Sequence, residues 1–279
     1  IKGLLGFPEM GVEGSALASL IARIFMMVFL YYVLLKEPKT RRYIKDFSLK
    51  ITEFSKSMFR KMLKLGFPTA LRMFFEITAF AAAAFICGLV SSKDIASHQI
   101  ALSMASFTFN LCIGFSVASS VLIGSKFGEQ DYVVLKKVGI NNLKIVFIFM
   151  FACGLVFIFG RHILPTFFTK AEDVEVIQLA AQLMIIAALF QLSDGIQVVA
   201  LGSLRGIQDV KIPSVITFIA YWIIAVPLGY FLCVTLKMGA FGMWIALGLG
   251  LTVSAVLLVM RFLTLSQKKI NAFENHKLA

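Results

Sequence analysis

Charge is scarce in this chain. Across 279 residues only 15% are Asp, Glu, Lys or Arg, against about 25% in an ordinary soluble domain. Acidic residues are scarcer than basic ones, 15 to 27. Cysteine is nearly absent too: Cys87, Cys112, Cys153 and Cys233 stand singly inside apolar runs. None pairs at metal-ligand or redox spacing, which excludes a disulfide scaffold and leaves them as reduced packing residues. There is no HExxH, no P-loop and no GxSxG. A zinc hydrolase, a nucleotide-driven pump and a serine hydrolase therefore lack their sequence basis. No nucleophile–base cluster stands at any span end, so the chain reads as no enzyme and as needing no cofactor. His98, His162 and His276 are scattered, and each reads as a surface or interfacial residue.

What fills the space is apolar. The chain is 59% hydrophobic with a mean hydropathy of +0.89, and the apolar residues fall in runs of roughly 20 or more, each enough to cross a bilayer. The runs lie near 14–35, 66–90, 99–125, 138–160, 177–203, 212–236 and 241–263. They are far longer than barrel strands and lack period-2 alternation, so they predict an all-α polytopic membrane protein with seven transmembrane helices.

The basic residues orient these spans. The segments 36–65, 126–137, 204–211 and 264–279, with Arg261, hold 19 Lys and Arg, whereas the alternate loops hold only Lys93, Arg161, Lys170 and Lys237. The richer side belongs in the cytoplasm, which makes the net charge of +12 an orientation signal rather than a nucleic-acid footprint. In the long segment 36–65, Phe47, Ile51, Phe54, Met58, Met62 and Leu65 recur every three or four positions among Lys and Arg. That is the pattern of a basic amphipathic helix on the inner leaflet, read here as a cytoplasmic linker between two membrane lobes. Residues 264–279 read as a cytoplasmic tail.

The first and last spans resemble one another. Met10-Gly11-Val12-Glu13-Gly14 before Leu17-Ala18 corresponds, 228 residues on, to Met238-Gly239-Ala240-Phe241-Gly242 before Ile245-Ala246. Such a period holds six spans, so both halves share one topology, a common transporter design. On this reading residues 1–35 carry the last helix of an N-lobe, 66–263 form a complete six-helix C-lobe, and about five helices are missing upstream. The opening Ile1-Lys2-Gly3, with neither initiator Met nor signal-peptide pattern, agrees with a truncated piece.

Two acidic residues sit inside the spans, Glu76 and Asp194. A carboxylate at mid-membrane costs roughly 2.5–3.5 kcal/mol and marks function by default. At 1.5 Å per residue, Glu76 lies about 15 Å and Asp194 about 12 Å from the inner span ends, a shared depth that would let both face one cavity. Such a pair can hold dehydrated Na+, supplying oxygen and charge, or can take up and release a proton. Either use couples cation entry to site charge, as an antiporter requires. Arg72 stands one turn before Glu76 and can neutralise it, while Gln191 and Gln197 continue a polar stripe around Asp194. Arg23 reads as a helix–helix or interfacial anchor. Pro227 with Gly229, and Pro68, mark positions where a span can bend.

Long ordered stretches then resemble the MATE family, the multidrug and toxic compound extrusion transporters, closest to its NorM-like branch. They are Ala96-Ser97-His98-Gln99-Ile100-Ala101-Leu102; Phe190-Gln191-Leu192-Ser193-Asp194-Gly195-Ile196-Gln197-Val198-Val199 followed by Gly202-Ser203-Leu204-Arg205-Gly206; Leu65-Gly66-Phe67-Pro68 with Glu76; and Ala220-Tyr221-Trp222 with Pro227-Leu228-Gly229-Tyr230. The resemblance covers 10–263. It implies twelve helices in two six-helix lobes of a bacterial inner-membrane antiporter, exporting lipophilic organic cations for Na+ or H+. The coupling cation would bind at Glu76 and Asp194, with Arg72, Phe190, Gln191 and Gln197 as cavity or tuning residues. Two positions depart from the pattern: Phe190 replaces a frequent Tyr and lacks its hydroxyl, and Arg72 replaces a neutral polar residue. The implied partners are the bilayer, organic cations and the absent N-lobe, with no nucleic acid. A flippase of lipids or lipid-linked oligosaccharides is the alternative, expected to show more Arg than carboxylate in its cavity, and a non-transporting truncated fragment is another.

Overall fold

The computed structural model describes residues 10–36, 55–169 and 173–278. Seven helices among them are long and apolar enough to span a membrane: α1 (Gly11–Lys36), α2 (Lys56–Val90), α3 (Ser92–Gly128), α4 (Tyr132–Gly160), α5 (Val174–Gly206), α6 (Lys211–Thr235) and α7 (Gly239–Leu278). The chain forms two compact units, 1–57 and 58–279. In the first, α1 is apolar over most of its surface, interrupted by Arg23, and from Ala16 to Lys36 its side chains are exposed.

The expected spans are all present, but the helices outrun them. α2 begins at Lys56 rather than near 66, and α7 continues to Leu278 through the stretch expected to be a tail. A hydrogen-bond ladder needs no apolar surroundings to continue, so hydropathy marks the bilayer-crossing part of a helix and not its ends. The C-terminal part of α7 is also packed: Ser266 is buried, the Tyr132 and Phe273 rings meet edge to face, and Lys136 donates to Gln267. Most of the expected amphipathic linker, residues 37–54, lies outside the described residues.

In the second unit α5 is the most enclosed helix. Small residues set its distance from α3: Gly202 lies against the Ser116 backbone and Gly206 against Ser120 and Ile123. Close approach at small residues is how helices associate where lipid removes the hydrophobic drive. Hydroxyls then satisfy one another across the seam. Ser116 donates to the Val198 carbonyl at 2.7 Å, and Ser119 and Ser203 lie 2.9 Å apart with Asn142 donating to Ser119. On the other flanks Gly195 faces Met150 of α4, and Gly250 of α7 faces the Ala220 carbonyl of α6.

α2 is attached differently, at the reach of side chains. Ser214 donates to the Pro68 carbonyl and Trp222 to that of Phe75, while Phe80 meets the rings of Phe190 and Tyr221. A cleft therefore remains open between α2, α3 and α5.

Turns at both ends carry their own locks. Asp131 caps α4 by accepting from the Val134 amide. The Arg261 guanidinium grips both oxygens of Asp209, at 2.5 and 3.1 Å, tying α7 to the α5–α6 turn. At the opposite end Lys93 pairs with Glu175.

Candidate functional site

The cleft has a volume of about 520 Å³ and is walled mainly by apolar side chains, among them Phe80, Leu102, Phe109, Ile113 and Phe190. Both carboxylates singled out by sequence line it, Glu76 from α2 and Asp194 from α5, each buried at 7% and 5% exposure. Arg72 lines it too, and its guanidinium donates to Glu76 Oε2 at 2.6 Å. Such a short charge-assisted bond on one helix face offsets the Glu76 charge locally. Among the described residues the Asp194 carboxylate makes no ion pair and no side-chain hydrogen bond.

The flanking glutamines do not join it. Gln191 is buried toward α4, where its amide donates to the Met150 carbonyl. Gln197 is buried toward α6 and donates to the Tyr221 hydroxyl at 3.4 Å. Three-residue steps rotate by about 60° less than a full turn, so the stripe 191–194–197 winds around α5 and only Asp194 reaches the cleft. Phe190 does line the cleft, wedged between Phe80 and Trp244.

Two residues of this region had not been singled out. Tyr221 is fully buried, with its hydroxyl accepting from Gln197. It stands in a π-helical stretch, Ile219–Ala225, where the Val226 amide bonds back five residues to the Tyr221 carbonyl. Pro227 follows directly, and a proline disturbs regular α-helical bonding upstream of it. π-Helical turns inside α-helices recur at functional sites. The available signal was the polar hydroxyl in an otherwise apolar run ahead of Pro227. Arg205 also lines the cleft, although its sequence position at a helix end made it one of the orienting cations. The lining thus holds two guanidinium groups and two carboxylates, Arg205 adding to the Arg72 that the sequence had placed beside Glu76.

His98 needs a correction as well. Far from being interfacial, it is fully buried with its ring 5.9 Å from that of Trp244. Helix α3 begins at Ser92, capped by Ser91, so His98 already lies inside the bundle rather than on a loop edge.

The sequence profile of the MatE family matches residues 68–231. A multidrug resistance protein NorM from Photobacterium profundum is 38% identical over 267 residues, spanning 94% of this chain and 57% of the relative. A multidrug resistance protein MdtK from Proteus mirabilis is 35% identical over 269 residues, with the same two coverages. Among solved structures, the eukaryotic MATE transporter AtDTX14 superposes with a TM-score of 0.81 at 18% identity, over 96% of this chain and 60% of that one. The chain therefore spans somewhat over half the length of the relatives it matches.

Proposed function

Since the chain belongs to the MatE family, we propose that it supplies the ion-coupled lobe of a secondary antiporter that exports lipophilic organic cations in exchange for Na+ or H+. The observation that carries this reading is the pair of buried carboxylates, Glu76 and Asp194, lining one apolar cleft. Aromatic walls suit flat apolar cations, and an intramembrane carboxylate supplies the charge that a cation must find there. The relatives' names as multidrug resistance proteins agree with that substrate class.

In the outward-open state a coupling cation enters at the Glu76–Asp194 level and cancels negative charge. The organic cation loses its counter-charge and leaves. Return to the inward-facing state with loss of the coupling ion restores the charge that draws the next substrate. An N-lobe completes the cavity, and the protein lies in a bacterial inner membrane with its basic ends in the cytoplasm. A flippase of anionic headgroups needs an excess of cationic lining, which two guanidiniums against two carboxylates do not give.

Dye export measured as accumulation in everted vesicles carrying the protein as the cell makes it, driven by Na+ or pH jumps, tests this. Wild type is expected to respond to one of the two ions, and Asp194→Asn to lose that response by about tenfold or more while still inserting. Full ion-driven efflux by the variant would remove Asp194 from the mechanism.

A further inference from the structure

The two cleft carboxylates differ in what surrounds them. Glu76 Oε2 accepts from Arg72 at 2.6 Å. From α6 the Trp222 indole donates to the Phe75 carbonyl, one residue before Glu76, at 3.1 Å. Glu76 is therefore held through its side chain by Arg72 and through the neighbouring backbone by α6. Its carboxylate thus carries a compensating cation on its own helix.

Asp194 has none of this. It is buried, lines the cleft and accepts no hydrogen bond among the described residues. The groups around it are Glu76 and Arg72 on α2, Cys112 on α3, Tyr221 on α6 and Arg205 on α5. The nearby cations are divided between Glu76 and the far end of α5.

We infer that Asp194 alone exchanges the coupling cation in this lobe, and that Arg72 and Glu76 form a fixed pair beside it. This rests on the export reading above. A buried ion pair resists separation because breaking it leaves an uncompensated charge in low dielectric. An arriving monovalent cation would have to displace a bonded guanidinium at Glu76, whereas at Asp194 it meets an unspent carboxylate. The Trp222–Phe75 bond also fastens the α2 backbone beside this pair to the π-helical turn of α6. Arg72 makes this chain a single-ion device in a lobe that carries two carboxylates.

The test uses ion-stimulated release of tetraphenylphosphonium from the reconstituted natural protein, read as the reaction order in Na+ or H+. Asp194→Asn is expected to bind the probe more weakly and to lose ion stimulation. Glu76→Gln alone strands the Arg72 cation and is expected to be defective. Adding Arg72→Gln removes that charge, and the double variant is expected to regain ion-stimulated release, if more slowly than wild type. A double variant as unresponsive as Asp194→Asn, in an assay where wild type responds, overturns the inference. A wild type that responds to neither ion overturns the export reading itself. Arg72→Gln alone gives an independent readout should the double variant fail to insert. It frees Glu76 and is expected to raise the order in the coupling ion by one, and an unchanged order counts against Arg72 as the group that keeps Glu76 out of exchange.

Discussion

Gly202 has no side chain because α3 leaves no room for one. A Cβ built there meets the Ser116 carbonyl and hydroxyl, and one at Gly206 comes within 2.9 Å of the Ser120 carbonyl. Backbone cannot yield as the tip of a side chain can, so the helices would have to part. Gly202→Ala is therefore expected to destabilise the lobe by about 1–3 kcal/mol, the usual range for overpacking. The buried thiols of Cys87, Cys112 and Cys233 report it: in a thermal ramp with a thiol-reactive dye, labelling should begin at lower temperature than in wild type. An unchanged onset would mean that the α3–α5 seam is softer than its packing. Residues of this kind were not legible in the sequence, since a packing glycine looks like any other glycine in an apolar run. Glu76 and Asp194 were legible because charge contradicts its surroundings at once. Tyr221 was not, because a phenol is compatible with both lipid and protein. Arg205 was hidden by having an adequate second explanation, and Gln191 misled because helical spacing was counted without following the rotation around α5.

At the scale of elements, the start of α7 depends on a side chain from another helix. Gly239 has φ +60, and the space a Cβ would fill is taken by Asp94 Oδ1. That oxygen accepts from the Ala240 amide at 2.6 Å, while Asp94 Oδ2 accepts from Ser91 at 2.6 Å. One carboxylate thus satisfies a free amide at the N-terminus of α7 and ties it to the first turn of α3. The favourable interaction of negative charge with a helix N-terminus adds to it. Asp94→Ala is expected to cost about 0.5–2 kcal/mol, as loss of a cap does, and Asp94→Asn less because its amide oxygen can still accept. Thermal onset in the same thiol assay ranks the three proteins. Equal loss in both variants would place the effect in charge rather than in the hydrogen bond. The seven spans themselves were legible from hydropathy, but this lock was not, because nothing local to residues 91–94 or 238–240 announces that they meet. The π-helical stretches of α6 were equally out of reach: Pro227 signalled a disturbance, and the surrounding packing decided that it became a change of helical pitch in an unbroken helix.

The molecule as a whole has two chemically unequal ends. The end of the lobe with the Arg261–Asp209 grip between α7 and the α5–α6 turn and the Lys136–Gln267 contact between α4 and α7 is the basic one, and in the sequence the segments read as belonging to that side hold 19 Lys and Arg against 4 in the opposite loops. A bias of this size in short loops fixes orientation during insertion, since basic residues resist translocation. Gln130 and Gln208, exposed in turns at the basic end, are therefore expected in the cytoplasm, and Ser92 and Lys237, exposed at the other end, outside. The resident cysteines interfere little, because three are buried and only Cys153 is half-buried. Single cysteines at the four positions, in a Cys153→Ser background, would be treated with a membrane-impermeant maleimide on whole cells and on everted vesicles. Ser92→Cys and Lys237→Cys should react in cells, and Gln130→Cys and Gln208→Cys only in everted vesicles. The opposite pattern would invert the protein in its membrane. It would also invert the transport cycle proposed here, because the side on which the coupling ion reaches Asp194 is the side from which the ion gradient can drive export.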